Sequence, residues 1–177
     1  MKSIIFLDVD GVLNCSDTKD KICGYRGIED EKVFYLKQIV DAFDAEIVLS
    51  SDWRTLDEDS EHYQYLVDKL AKQGLKISDK TPDIIHWNRA AWNRASEIAA
   101  YLAENVPDRF LILDDIQDGW ARYDIYKYWY STVNRDFFST MPGLTQESVN
   151  EIIEHMDEYV VDDDFCEKYV KKDKKDE

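Results

Sequence analysis

The stretch Ser3-Ile4-Ile5-Phe6-Leu7-Asp8-Val9-Asp10-Gly11-Val12-Leu13-Asn14 decides the reading of this chain. Its first half is a short, uninterrupted apolar run, the pattern of a strand buried on both faces in a parallel sheet. The run stops at two carboxylates and a glycine, where a purely structural strand would simply turn. Two further apolar runs end the same way. Glu46–Leu49 runs into Ser50-Ser51-Asp52-Trp53-Arg54, and Phe110–Leu113 runs into Asp114-Asp115. Helical spacings lie between them: Glu29–Phe43, His62–Lys72 closed by Gly74, and Ala91–Glu104. Tyr128–Val133 reads as a fourth strand. Thr145 reads as the N-cap of a last helix reaching about Tyr159, with Glu147 in its first turn. Strand alternating with helix is the signature of an α/β domain with a mostly parallel central sheet between helical layers, a Rossmann-like three-layer sandwich. The carboxyl ends of parallel strands open on one edge, where such folds bind ligands.

Size and charge bound the rest. The chain has 177 residues, which fits one domain; we place it at residues 1–160, followed by a tail over 161–177. Its 44 % hydrophobic and 13 % aromatic residues suffice for a core. The segment Asp157–Glu177 holds nine acids and five lysines and ends KKDKKDE, so the tail is expected to be disordered. With 22 Lys+Arg against 38 Asp+Glu, the net charge is −16, which disfavours a surface that tracks duplex DNA. Three cysteines without Cys-x-x-Cys spacing fit a reducing, cytoplasmic setting. Asp8 and Asp10 cut the N-terminal apolar run too short for a secretory leader, and no run reaches the ~18 residues of a membrane span.

Four carboxylates at one sheet edge repel one another unless a cation joins them, and an all-oxygen donor set suits Mg²⁺. The same residues resemble a known family. Asp8-Val9-Asp10-Gly11-Val12 looks like the first motif, hhhDxDG, of phosphatases of the haloacid dehalogenase (HAD) superfamily. Ser50 after Ile47-Val48-Leu49 resembles the phosphate-binding Ser/Thr of the second motif, with Ser51 as the neighbouring alternative. Asp114-Asp115 resembles the acidic fourth motif. Arg94, in NRASEIAAYL, is the best match to the basic third motif, with Arg89 and Arg54 competing. VLSSDWR, RASEI, LILDD and Gly143–Thr145 resemble more closely the HAD domains of "Swiss Army knife" RNA-repair-like proteins; the likeness covers about Ile4–Thr145.

The resemblance implies a Mg²⁺-dependent phosphatase. Asp8 would attack phosphorus to give an aspartyl-phosphate, and Asp10 would protonate the leaving oxygen and then deprotonate water. The metal would be held by Asp8, the Asp10 carbonyl and Asp115, with Asp114 behind them. Ser50, Ser51 and Arg94 would neutralise the phosphoryl oxygens. Asp118 stands between a helix N-cap and a role behind the metal ligands. Residues 14–29 leave room only for a flap and residues 75–92 only for a loop, so the cap is minimal and the site open. Trp53, Trp87, Trp92 and Trp120 flank the motifs, either as loop packing or as a stacking platform for a nucleobase. The expected partner is thus a small phosphorylated substrate or a single-stranded nucleic-acid terminus. The alternative is a catalytically silent module that binds phosphate or Mg²⁺. A response-regulator receiver also clusters acids at strand ends, but FLDVDG and LILDD do not follow its order.

Overall fold

The computed structural model describes residues 1–84, 94–117, 119–133 and 141–170. Five strands form one sheet in the order β5 (Ile77–Lys80), β4 (Ala45–Leu49), β1 (Ser3–Leu7), β6 (Arg109–Asp114) and β7 (Trp129–Ser131), and every adjacent pair is parallel. At its centre lie β1, β4 and β6. These are the apolar runs read from the sequence. The continuous pattern arises because both faces of β1 are covered. Ile5 and Leu7 join one core with Val33, Leu36, Leu66 and Val149. Ile4 and Phe6 join the other with Ile98, Leu102 and Phe110.

The first core is closed by α1 (Asp30–Phe43), α2 (Glu61–Ala71) and α4 (Gln146–Glu154), the second by α3 (Arg94–Glu104) and α5 (Asp163–Val170). Thr145 does cap α4: its side chain accepts from the Ser148 N–H while Ser148 bonds back to the cap. The helix ends at Glu154 and not near Tyr159. The backbone leaves helical geometry at His155, and a 3₁₀ turn over Met156–Tyr159 sets the Tyr159 ring 5.9 Å from that of Phe43.

Several strands also differ from the sequence expectation. β5 (Ile77–Lys80) is an edge strand of largely polar residues, so no apolar run announces it. β7 (Trp129–Ser131), at the opposite edge, is shorter than the expected Tyr128–Val133. Within the flap, β2 (Lys21–Ile22) and β3 (Tyr25–Arg26) form an antiparallel hairpin. Its turn residues Cys23 and Gly24 both have positive φ, 50° and 84°, as a tight hairpin of right-handed twist requires.

The expectation of a disordered tail is overturned over Asp163–Val170, which is helical. Phe165 and Tyr169, one helical turn apart, are buried in the second core, and the Tyr169 hydroxyl donates to the Tyr123 carbonyl at 2.7 Å. Two aromatic anchors outweigh the acidic composition around them. Among the described residues no helix is long and apolar enough to cross a membrane.

Candidate active site

Register brings the strand-end residues together. Leu7 pairs with Leu49 on one side and with Leu113 on the other. The next residue of each strand, Asp8, Ser50 and Asp114, therefore emerges at the same level of the sheet. The ladder continues one step further: Asp8 N–H donates to the Leu113 carbonyl at 3.0 Å and Ser50 N–H to the Leu7 carbonyl at 2.9 Å. All three are buried, Asp8 at 4 % exposure and Ser50 and Asp114 at 0 %.

Asp115 closes the group. One carboxylate oxygen each from Asp8, Asp114 and Asp115 lies within 4.8 Å of the others. Gly11 makes room for it. Its φ is +78°, and a Cβ there would collide with the Asp115 carboxylate. The Thr132 hydroxyl, just beyond β7, holds this turn by donating to the Gly11 carbonyl at 2.7 Å.

Arg94, at the first turn of α3, reaches into the cluster. Its Nη1 lies 2.5 Å from Asp8 Oδ1 and 3.5 Å from Asp114 Oδ2, and its Nη2 lies 3.5 Å from Asp52 Oδ1. The structure thus sets the third-motif candidate directly against the nucleophile candidate. Burial would lower the Arg94 pKa, but Asp8 and Asp114 outweigh it and keep the guanidinium charged. Among the described residues Arg94 alone pairs with Asp8 and Asp114, and one arginine does not balance three acids. Burial raises the Asp8 pKa despite Arg94 and a Ser51 hydrogen bond. Burial, then Asp8, raises Asp114 well above the carboxylate range. Burial, then repulsion from Asp8, pushes Asp115 from 3.8 up to about 6.

An acid whose pKa is higher folded than unfolded binds more protons in the native state, so stability is lost as pH rises through the folded value. The metal-free protein is expected to lose on the order of 2 kcal/mol from Asp115 alone between its ordinary range and about 6. Chemical denaturation in chelator, run at several pH values, measures this. A flat or rising profile there would contradict a tightly spaced cluster.

Asp10 stands apart from the three clustered carboxylates. It is exposed at the rim, and both of its oxygens are engaged. The Trp53 indole N–H donates to Oδ2 at 2.8 Å, and the Asn14 amide donates to Oδ1 at 2.9 Å. Asn14 itself accepts from the Gly11 N–H at 2.9 Å. Ser50 Oγ is buried and has no hydrogen-bond partner among the described residues. Ser51 Oγ accepts from the Trp53 N–H at 3.4 Å.

The geometry bears on two alternatives that the sequence leaves open. Arg54 is not available to a phosphate. Its guanidinium donates to the Ser50 and Ser51 carbonyls at 3.2 and 2.9 Å and pairs with the fully buried Glu97 of α3. It clamps the Ser50–Arg54 loop to α3. Arg54→Met is therefore expected to destabilise the fold by about 3–5 kcal/mol, because the fully buried Glu97 loses its ion-pair partner. Urea titration of the two proteins checks this, and a loss below about 1 kcal/mol would contradict it.

Nor do Trp53 and Trp120 form a stacking platform. Trp53 is 5 % exposed and its indole is spent on Asp10. Trp120 is wholly buried and donates to the Ile116 carbonyl at 2.9 Å. Trp87, Trp92, Arg89 and Asp118 lie outside the described residues. The sequence reading missed Asn14, Asp52, Thr132 and Glu97. Only Asn14 and Asp52 carried a signal, as polar residues inside the first two motifs.

A model of the family described as "HAD domain in Swiss Army Knife RNA repair proteins" matches residues 4–149. The chain belongs to this family. The match spans all five strands of the sheet and the three motif-bearing strand ends, and it makes the HAD resemblance and the α/β fold findings about this chain. HAD membership points to a hydrolase of the phosphatase type. No curated protein and no solved structure gives a significant match.

Proposed function

We propose that this HAD domain is a Mg²⁺-dependent phosphomonoesterase that works through a phosphoryl group carried on Asp8. The observation that carries the reading is the register-level assembly of Asp8, Ser50 and Asp114, with Asp10 held two residues beyond the nucleophile at the rim.

The residues present fit a hard divalent cation. Among the described residues Asp114 Oδ2 makes no hydrogen bond, its nearest cation being Arg94 Nη1 at 3.5 Å, three carboxylates crowd within 4.8 Å, and all the donors are oxygen. The carboxylates of Asp8 and Asp115 and the Asp10 carbonyl would hold Mg²⁺, with Asp114 behind them. When bound, the ion supplies positive charge against the acids and the phosphoryl oxygens.

The chain's own residues supply the rest. An Asp8 oxygen bonds to phosphorus as the ester P–O bond breaks. Asp10 gives its proton to the leaving oxygen. Water then attacks phosphorus, Asp10 takes its proton, and Asp8 is released as carboxylate. Ser50 and Arg94 neutralise the phosphoryl oxygens; Arg94 would leave Asp8 Oδ1 to do so.

The substrate we propose is a nucleotide or a short single-stranded nucleic-acid end presenting a terminal phosphate. Support comes from the small flap, which carries one two-stranded hairpin, from the charge of −16 set against long polyanions, and from the RNA-repair association in the family's description. Hydrolysis of an aryl phosphate with Mg²⁺ and its loss in chelator test the reading. Equal rates in chelator would contradict the metal dependence.

A further inference from the structure

We infer that Trp53 is the positioning residue for Asp10: its indole N–H holds the carboxyl in the orientation from which it exchanges a proton with the leaving oxygen. This rests on the phosphatase reading and adds a determinant to it.

Asp10 sits exposed on a turn, where a short carboxylate left to itself would sample several rotamers. Two donors remove that freedom, Trp53 Nε1 on Oδ2 at 2.8 Å and Asn14 Nδ2 on Oδ1 at 2.9 Å. The indole is a donor only, so it fixes Oδ2 as an acceptor. Each oxygen keeps a further lone pair, which leaves a place for the proton that Asp10 must carry.

Trp53 is itself firmly held. It lies in the 3₁₀ turn Asp52–Thr55, directly after the Ser50–Ser51 strand end, and its backbone N–H bonds to Ser51 Oγ. The turn is clamped to α3 through Arg54 and Glu97. The indole packs edge-on to the His62 ring, with centroids 4.2 Å apart, and Tyr25 of the flap hairpin stacks on that same histidine at 5.2 Å. A side chain needed only to fill space would not require an N–H aimed at the one exposed carboxylate of the first motif.

In the chemistry, the Asp10 O–H proton passes to the leaving oxygen while the ester P–O bond breaks and the Asp8–P bond forms. In the second half, water loses a proton to Asp10 as its oxygen bonds to phosphorus and the Asp8–P bond breaks. A misdirected Asp10 fails first with a leaving group that needs that proton.

The test uses Trp53→Phe and two substrates, an alkyl phosphate and dinitrophenyl phosphate, whose leaving group departs without protonation. We expect kcat/KM for the alkyl phosphate to fall about tenfold or more, and for dinitrophenyl phosphate by less than about twofold. Asp10→Asn should give the same split, and Trp53→Phe in that background should add nothing on the alkyl phosphate. If Trp53→Phe does not fold, the tryptophan isostere with sulfur in place of the indole N–H at position 53 gives the same comparison. Equal losses on both substrates, or losses that multiply with those of Asp10→Asn, would overturn the inference and make Trp53 a packing residue. Wild-type rates retained by Asp8→Asn would instead sink the phosphatase reading, and this inference with it.

Discussion

Asp8→Asn is expected to reduce phosphate-ester hydrolysis by at least about a thousandfold while leaving the protein folded. The amide keeps the shape of the carboxylate but not its nucleophilic charge. The site also predicts that the variant is no less stable than the parent in chelator. Asp8 is buried, its pKa is raised by that burial, and it repels Asp114 and Asp115. Opposing this, the neutral amide loses the ion pair that Asp8 makes with the Arg94 guanidinium, 2.5 Å away, so any gain is modest. Steady-state rates and a melting curve on one preparation measure both quantities. A folded Asp8→Asn protein with undiminished turnover would exclude Asp8 as the nucleophile.

The second large effect belongs to Asp10. General acid–base groups contribute typically about 10²–10⁴-fold, so Asp10→Asn should lower kcat on an alkyl phosphate by about that factor. On dinitrophenyl phosphate the two half-reactions come apart. Formation of the phosphoryl enzyme needs no acid, whereas its hydrolysis still needs a base. The variant should therefore release one burst of dinitrophenol per enzyme and then slow. A uniform fall on both substrates without a burst would mean that Asp10 serves structure and not proton transfer.

These expectations depend on how the chain places its polar strand ends, and that much is legible in the sequence. An apolar run buried on both faces has a definite end, and the residue after it must emerge at the sheet edge. Asp8, Ser50 and Asp114 were readable for that reason, and register then set them level. Arg94 was harder to assign. Three arginines competed, and only packing shows Arg54 locked to Glu97 while Arg94 faces Asp8. For Trp53 the sequence leaves loop packing and a stacking surface both open, because it does not say which way an indole N–H points.

Elements without a full apolar signature were also missed. β5 pairs on only one side and carries polar residues. The flap hairpin turns on Cys23-Gly24 instead of a familiar Asn-Gly pair. The tail helix depends on Phe165 and Tyr169 finding the second core, a tertiary fact that composition hides.

The central claim is that phosphate passes through Asp8, and trapping the phosphoryl enzyme tests it most directly. Asp10→Asn protein is mixed with dinitrophenyl phosphate and Mg²⁺, quenched in acid within one turnover, and reduced with borohydride, which converts an acyl phosphate to the alcohol. Peptide mass spectrometry then locates the change. We predict a single modified site, Asp8, converted to homoserine, and none in the Asp8→Asn variant. A quenched enzyme with no covalent phosphate during measurable turnover, or with phosphate on another residue, would contradict the account.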